Sequence, residues 1–578
     1  MKKTISMLML LFCAWEITIA QAPPSEGIIE NGDTLTIQAT YNGNPLNALN
    51  LWILWDINGS INNPPKHKIY KLLWNKTYPI TSVVLFKGRL TLVAIKPSLG
   101  NKPPQVGPAE GSSGTGPGNV LFQVTGPITF KNIAFTNLSF TSNSNSTSQT
   151  IAQTQGDSLT NYIDGCYYEN INRFALQTGS GLWNRIYVTN SFFRNGGDES
   201  GNDGRGHFYN SNGQPLDTVV FRNNTYINTP GLFINISKDM VRYLELSHNT
   251  CINTIKRTVN IANYIDARIK NNIFYNTIAQ GQLKSDIAGS ISGARDRQPV
   301  GIVDADTLLG NTISDATWYT KEKDRVFEVA NNWFGWTDNV INYINIDTAS
   351  VQTPWMNTRT VGMFGNKTAW PKFTETKTYS RTVNGLPDFV TPIVGTDSMI
   401  AFINNVIRLK GKSPLRWYWE PVGVAVPNNT IEWPPIEDLR IKNAALVGDD
   451  GKPIGDLNWY EQYAERWDMK GWGRSTSVDE NDHYIPTVFS LEQNFPNPFN
   501  PETEIKYSTN RTGNVSLTIF NVLGEEILSL VNQTQNAGVH KVRWNGRNSA
   551  GQALASGIYF YQLRMDSQVS TKKMMLLK

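Results

Sequence analysis

One short phrase recurs along the middle of this chain and limits what it can fold into. It reads KNIAFTN ending at Asn137, GCYYEN at Asn170, NSFFRN at Asn195, NNTYIN at Asn228, HNTCIN at Asn253 and NNIFYN at Asn276, with intervals of 33, 25, 33, 25 and 23 residues. A unit of that size cannot bury its own apolar face, so its neighbours must do so by stacking. Aligned on the terminal Asn, the residues seven positions earlier are Phe130, Ile163, Val188, Phe221, Leu246 and Ile269. Those two positions earlier are Phe135, Tyr168, Phe193, Tyr226, Cys251 and Phe274. Both sets read as inward ladders. Apolar residues nine positions back share the strand face at period two, and no 3.6-residue period is present. Five positions back stand Asn132, Gly165, Asn190, Asn223, His248 and Asn271, which suggests a stacked ladder of side-chain amides where the chain bends.

The pattern resembles the right-handed parallel β-helix of the pectate-lyase-like superfamily, and the regular register favours it over an Asn-rich β-sandwich. The expected fold is therefore all-β, with the solenoid over residues 21–340. KIYKLLWNKTYPI, RLTLVAIKP and KPPQV read as opening coils. A seventh match, VANNWFGW at Val329–Trp336, follows a 60-residue interval, so 281–324 reads as an excursion. Cys166 and Cys251 fall in the second and fifth matched coils, about 14 Å apart at ~4.8 Å per coil. That exceeds the ~7 Å Cα limit for a bridge, so both should be free, buried thiols.

Residues 1–20 carry Lys2 and Lys3, an apolar run from Ile5 to Ala14, and Thr18-Ile19-Ala20, the layout of a secretory signal peptide. The apolar run is too short to span a bilayer, so no transmembrane segment is expected. Residues 487–578 change character, with Val515, Leu517 and Ile519 alternating with polar residues as in a half-buried antiparallel strand of an Ig-like β-sandwich. Phe495-Pro496-Asn497-Pro498-Phe499-Asn500-Pro501, Gly524, Trp544-Asn545-Gly546, Ser556-Gly557-Ile558-Tyr559 and Lys572-Lys573-Met574 resemble the C-terminal sorting domain of the type IX (Por) secretion system. That resemblance implies the type IX machinery as a partner and an extracellular or outer cell-surface location.

Residues 341–486 are Trp-rich and lack the repeat register: Trp355, Trp370, Trp417, Trp419, Trp433, Trp459, Trp467 and Trp472 fall here. They read as a cover for an end or flank of the solenoid, or as rings that stack on sugars. KNAALVGDDGKPIGDLNW, over 442–459, resembles the closing segment of secreted β-helix proteins, with Asp449-Asp450-Gly451 read as a turn.

The register also identifies outward residues. Six positions before the terminal Asn they include Asp164, Arg222 and Lys270; eight before, Tyr187, Glu245 and Arg268; ten before, Arg185, Tyr243 and Asp266. Pectate-lyase-like enzymes use Ca²⁺ held by carboxylates and an Arg or Lys base to abstract the proton beside a uronate. The resemblance implies Arg222, Arg268 and Lys270 as catalytic candidates, Glu245 and Asp266 as Ca²⁺ ligands, and Tyr187, Tyr243 and Arg185 as substrate-binding residues. Such a base must be desolvated or crowded by like charge, since an ordinary guanidinium stays protonated. The same residues also read as an exposed charge ladder on a non-catalytic surface protein that binds glycan or builds an extracellular layer. Whether the chain is an enzyme stays open at this point, with a polysaccharide as the expected partner in either case. Of the phrases carried by polygalacturonase-like β-helices, only Arg268-Ile269-Lys270 is present. The inserted coil GGDESGNDGRGHFYN adds Asp198, Glu199, Asp203, Arg205 and His207 as a further metal candidate or a plain turn. A formal charge of +4, from 52 basic and 48 acidic residues spread evenly, is no nucleic-acid footprint.

Overall fold

The computed structural model describes most of residues 24–576; 95–101, 111–115, 142–149, 197–205, 284–323, 404–438, 466–488 and shorter stretches lie outside the described residues. So do residues 1–20, Asp198, Glu199, Asp203, Arg205, Trp417, Trp419, Trp433, Trp467 and Trp472. The chain divides into two units, 1–474 and 475–578.

The first unit is a parallel β-helix with three faces. One coil shows the plan: Phe174–Ser180 lies on the first face, Asn184–Thr189 on the second and Phe192–Arg194 on the third. Each strand pairs in parallel with its counterparts in the coils before and after. Both ladders follow the register read from the sequence. Phe135, Tyr168, Phe193, Tyr226, Cys251 and Phe274 are successive cross-strand partners, continued by Phe334. Phe130, Ile163, Val188, Phe221, Leu246 and Ile269 form the second ladder, continued by Val329. All are buried; Phe135 and Tyr168 stack at 5.2 Å between centroids, and Phe193 and Tyr226 pack tilted at 4.9 Å. Cys166 and Cys251 are both free and buried, and burial pushes the Cys166 thiol up to about 12.

The expected row sits at the bend, where Asn271 Nδ2 lies 3.0 Å from His248 Nε2 of the preceding coil, and a longer amide ladder stands one residue beyond it. Asn132, Asn190, Asn223, His248 and Asn271 occupy left-handed backbone, with φ between 53° and 59°, at the corner from the second face to the third. Asn and His tolerate that region better than branched or bulky residues, which explains their recurrence. From Asn223 onward the residue after each corner turns inward, and Asn224, Asn249, Asn272 and Asn332 form a buried amide ladder. Asn224 Nδ2 donates to Asn249 Oδ1 (3.0 Å), Asn249 Nδ2 to Asn272 Oδ1 (3.0 Å) and Asn272 Nδ2 to Asn332 Oδ1 (2.8 Å). Each also donates to a backbone carbonyl: Val188, Phe221 and Leu246 accept at 2.8–3.0 Å. The Asn that ends the phrase marks a second left-handed corner, with φ of 50–56° from Asn170 to Asn276. There Asn253 Nδ2 donates to Asn228 Oδ1, and Asn276 Nδ2 to Asn253 Oδ1, both at 3.1 Å.

The coil register does not stop at residue 340. Phe373–Thr376 and Tyr379–Ser380 add a further rung on the second and third faces. The helices Asp338–Ile346 and Thr358–Gly365 intervene and contribute Val340, Ile344 and Met363 to the core, which Trp355 joins through ring contacts with Phe274 and Phe334.

A later segment covers the flank, with Trp459 as its one described tryptophan there. The outward side of the third face is apolar, through Phe192, Ile227, Ile252, Ile273, Tyr275 and Trp333. Phe389, Leu439, Leu446, Ile454, Leu457 and Trp459 bury it. Trp459 packs edge-on against Phe192 and donates through Nε1 to Thr225 Oγ1 at 2.9 Å.

The second unit is an antiparallel sandwich. One sheet orders Ser490–Leu491, Thr503–Thr509 and Gly538–Trp544; the other orders Glu526–Gln535, Gly513–Phe520, Gly557–Met565 and Gln568–Leu576. Val515, Leu517 and Ile519 face its core with Tyr561, Leu563 and Trp544, as their alternation predicts.

Candidate binding face

Strand alternation places the expected site residues together on the outer side of the second face. Arg185, Thr218, Tyr243 and Asp266 form one row across neighbouring coils. Tyr162, Tyr187, Val220, Glu245, Arg268 and Glu328 form the next, and Thr189, Arg222, Ser247 and Lys270 a third. All eight candidates therefore lie on one surface, as the spacing predicted.

Their chemistry is closed on itself. Arg222 donates to Glu245 Oε1 through Nη2 (2.5 Å) and Nε (3.0 Å). Ser247 Oγ adds a bond to Oε1 at 2.7 Å, and Tyr243 OH donates to Oε2 at 3.1 Å. Burial alone would raise the Glu245 pKa, but the adjacent guanidinium and these donors hold it below the usual value. Arg268 pairs with Asp266 at 3.3 Å, and that bond raises the guanidinium pKa further. Arg185 holds Asp217 at 2.6 Å, and Arg242 holds its other oxygen at 3.0 Å. Lys270 lies between Glu328 (2.6 Å) and Asp449 (3.2 Å). Burial would lower its pKa, yet the two carboxylates outweigh that and raise it.

This arrangement keeps the candidate bases protonated. Arg268 and Lys270 shift away from the direction that proton abstraction needs. Glu245 and Asp266 do not fit a Ca²⁺ site either, because their oxygens face guanidinium groups and hydroxyls rather than an open oxygen cluster. Among the described residues no group of three or more His, Cys, Asp or Glu is placed to hold a metal ion.

Aromatic groups supply what remains. Tyr162 and Tyr187 stack at 5.0 Å with an interplanar angle of 21°, half-buried on the outer face. Arg242 lies 4.2 Å over the Trp183 ring, and Trp183 has φ of 60°, a costly conformation for a bulky side chain. Tyr162 stands eight residues before Asn170 and so follows from the same register as Tyr187, whereas Trp183 lies outside the repeated phrase.

Sequence reasoning also missed the strap that reaches this face. The Asp449-Asp450-Gly451 turn is present, with Gly451 at φ 78° and its N–H bonded to Gly448 O. Its carboxylates do more than turn the chain. Asp449 accepts from Asn271 Nδ2 (2.8 Å) and Lys270 Nζ, and Asp450 pairs with His248 Nε2 at 3.2 Å. Downstream, Asp456 accepts from Thr225 Oγ1 (2.8 Å), and Asn458 Nδ2 donates to Asn223 O (2.9 Å) and Asn190 Oδ1 (3.2 Å). The strap thus binds the corner residues of four coils.

Burial would raise the Asp450 pKa, but bonding and charge from His248, with help from Lys452, lower it to about 2. A folded-state pKa below the unfolded value of ~3.9 means the contribution is complete above that value and is lost as pH falls through about 2. Protection of strap amides against hydrogen exchange, relative to their intrinsic rates, should therefore fall between pH 4 and 2 in the native chain. Asp450→Asn should flatten this dependence while lowering protection at neutral pH, and an unchanged protection profile would refute the assignment.

Residues 500–568 match the FlgD Ig-like domain family. No curated protein matches the chain at a significant level. Short stretches are similar to two solved structures from Porphyromonas gingivalis. One is dimeric latent PorU, at 22% identity over 16% of this chain and 9% of that one, with a TM-score of 0.14. The other is PorZ, described as an essential surface component of the type IX secretion system, at 18% identity over 15% and 12% with a TM-score of 0.13. The chain spans about a tenth of the length of each.

Proposed function

We propose that this is an exported, surface-displayed β-helix protein that binds polysaccharide without cleaving it, carried outward by a type IX sorting module. The observation that carries this reading is the closed pairing on the second face. Arg185, Arg222, Arg268 and Lys270 each contact a carboxylate, and the half-buried Tyr162–Tyr187 stack and the Trp183 ring under Arg242 lie beside them. Stacked rings and paired charges suit the C–H faces and hydroxyls of sugar chains, whereas β-elimination needs a group able to accept a proton. Export is supported by the Phe495–Pro501 phrase and the run to Lys572-Lys573-Met574. Among the described residues, no helix is long and apolar enough to cross a membrane.

Affinity electrophoresis of the full chain in neutral and uronate polysaccharides, run beside an assay for unsaturated products with added Ca²⁺, tests the reading. Retardation without product is expected, with Tyr187→Ala weakening binding roughly three- to tenfold. Product formation abolished by Lys270→Ala would overturn it in favour of a lyase. Failure to bind any polymer would overturn the glycan reading.

A further inference from the structure

In the four-stranded sheet of the C-terminal sandwich, inward residues make the core and outward ones face away from it. Pairing defines the outward rows across the sheet. Glu526 pairs with Phe520, Phe520 with Phe560, and Phe560 with Lys573, giving one continuous row that reads Glu, Phe, Phe, Lys. One rung beyond, Ile558 pairs with Met575, 37% and 38% exposed. The hairpin tip following Phe520 adds Val522 and Leu523, 64% and 80% exposed. An apolar patch built from both central strands, with opposite charges at its two ends, is not what a solvated sheet face ordinarily carries.

The order of residues indicates what fits it. A two-fold axis parallel to the strands, passing between Phe520 and Phe560, lays a second copy face to face on the first. It sets Glu526 opposite the other copy's Lys573, and Phe520 opposite its Phe560. A self-complementary patch is the requirement of an isologous interface. The remaining rows raise no conflict. Thr518, Gln562 and Thr571 are uncharged, and in the next row the single charge, Arg564, would meet Ser516. A partner carrying one sign of charge around its pocket would clash with either Glu526 or Lys573, which favours a second copy over an unrelated acidic or basic protein.

We infer that the chain dimerises in solution through this outward Glu526–Phe520–Phe560–Lys573 row. Analytical ultracentrifugation of the full chain tests it. The native protein should dimerise, and Phe520→Ser with Phe560→Ser should give monomer with an unchanged circular dichroism spectrum. Lys573→Glu and Glu526→Lys should each weaken the dimer about tenfold, and the two together should restore it. That rescue cannot arise from unfolding. A native chain that stays monomeric up to roughly 100 μM, or a dimer indifferent to all these changes, would overturn the inference.

Discussion

Phe193→Ala is expected to lower the unfolding free energy of the β-helix by about 3–5 kcal/mol. Phe193 is fully buried, with Tyr168 and Tyr226 as its cross-strand neighbours and Phe208 packed on its side at 5.6 Å. Truncation removes the transfer energy of the ring and leaves a cavity in three consecutive coils. A parallel strand pair held in register on both sides cannot close that gap, because moving one rung disturbs the next. Urea unfolding followed by far-UV circular dichroism should show the midpoint fall. The Phe193→Leu variant should recover much of the loss, since it refills most of the space. A cost below about 1 kcal/mol for alanine would mean that the ring is not in the stack.

The second large effect separates two adjacent asparagines. Asn249 Oδ1 accepts from the backbone N–H (3.2 Å) and the Nδ2 (3.0 Å) of Asn224, and Asn249 Nδ2 donates to Phe221 O and Asn272 Oδ1. Asn249→Ala strips partners from several buried groups at once, each worth about 1–3 kcal/mol when left unsatisfied, so a loss of several kcal/mol is expected. The corner position behaves differently. Asn223 has φ of 55° and glycine accepts that conformation, so Asn223→Gly should cost within about 1 kcal/mol, whereas Asn223→Val should cost more. Comparing denaturation midpoints of the three variants distinguishes an amide ladder from a row of corners. Equal sensitivity at 223 and 249 would contradict the division of roles described above.

Much of this architecture is legible in the sequence. The repeat announced a solenoid because a stacked coil needs the same residue type at the same height, and that need writes itself into the sequence at fixed spacing. The inward ladders, the outward rows, the unpaired cysteines and the alternating strands of the C-terminal sandwich all follow from period-two alternation plus the repeat. The row of asparagines at the bend follows from the spacing, but the inward amide ladder beside it does not, because spacing shows that Asn recurs at a corner and not which of two neighbours bends backwards and which points inside. In the stretch Asn223-Asn224 both are asparagine, so only the backbone torsion distinguishes them.

The site was legible as a set of residues and not as chemistry. Alternation put Arg222, Glu245, Asp266, Arg268 and Lys270 on one surface. Whether a lysine there is a base or half of an ion pair depends on the groups within about 4 Å of it, and those come from far along the chain. Glu328 reaches Lys270 after the long excursion, and Asp449 arrives on a strap 179 residues away. Local periodicity, which is a property of neighbouring residues, determined the coil, its core and its faces. The pairs Arg268–Asp266 and Arg222–Glu245 lie within the reach of that periodicity, but the carboxylates that enclose Lys270 were decided by the tertiary fold alone, because charge energies depend on distance through space and the separation of these residues along the chain carries no information about it.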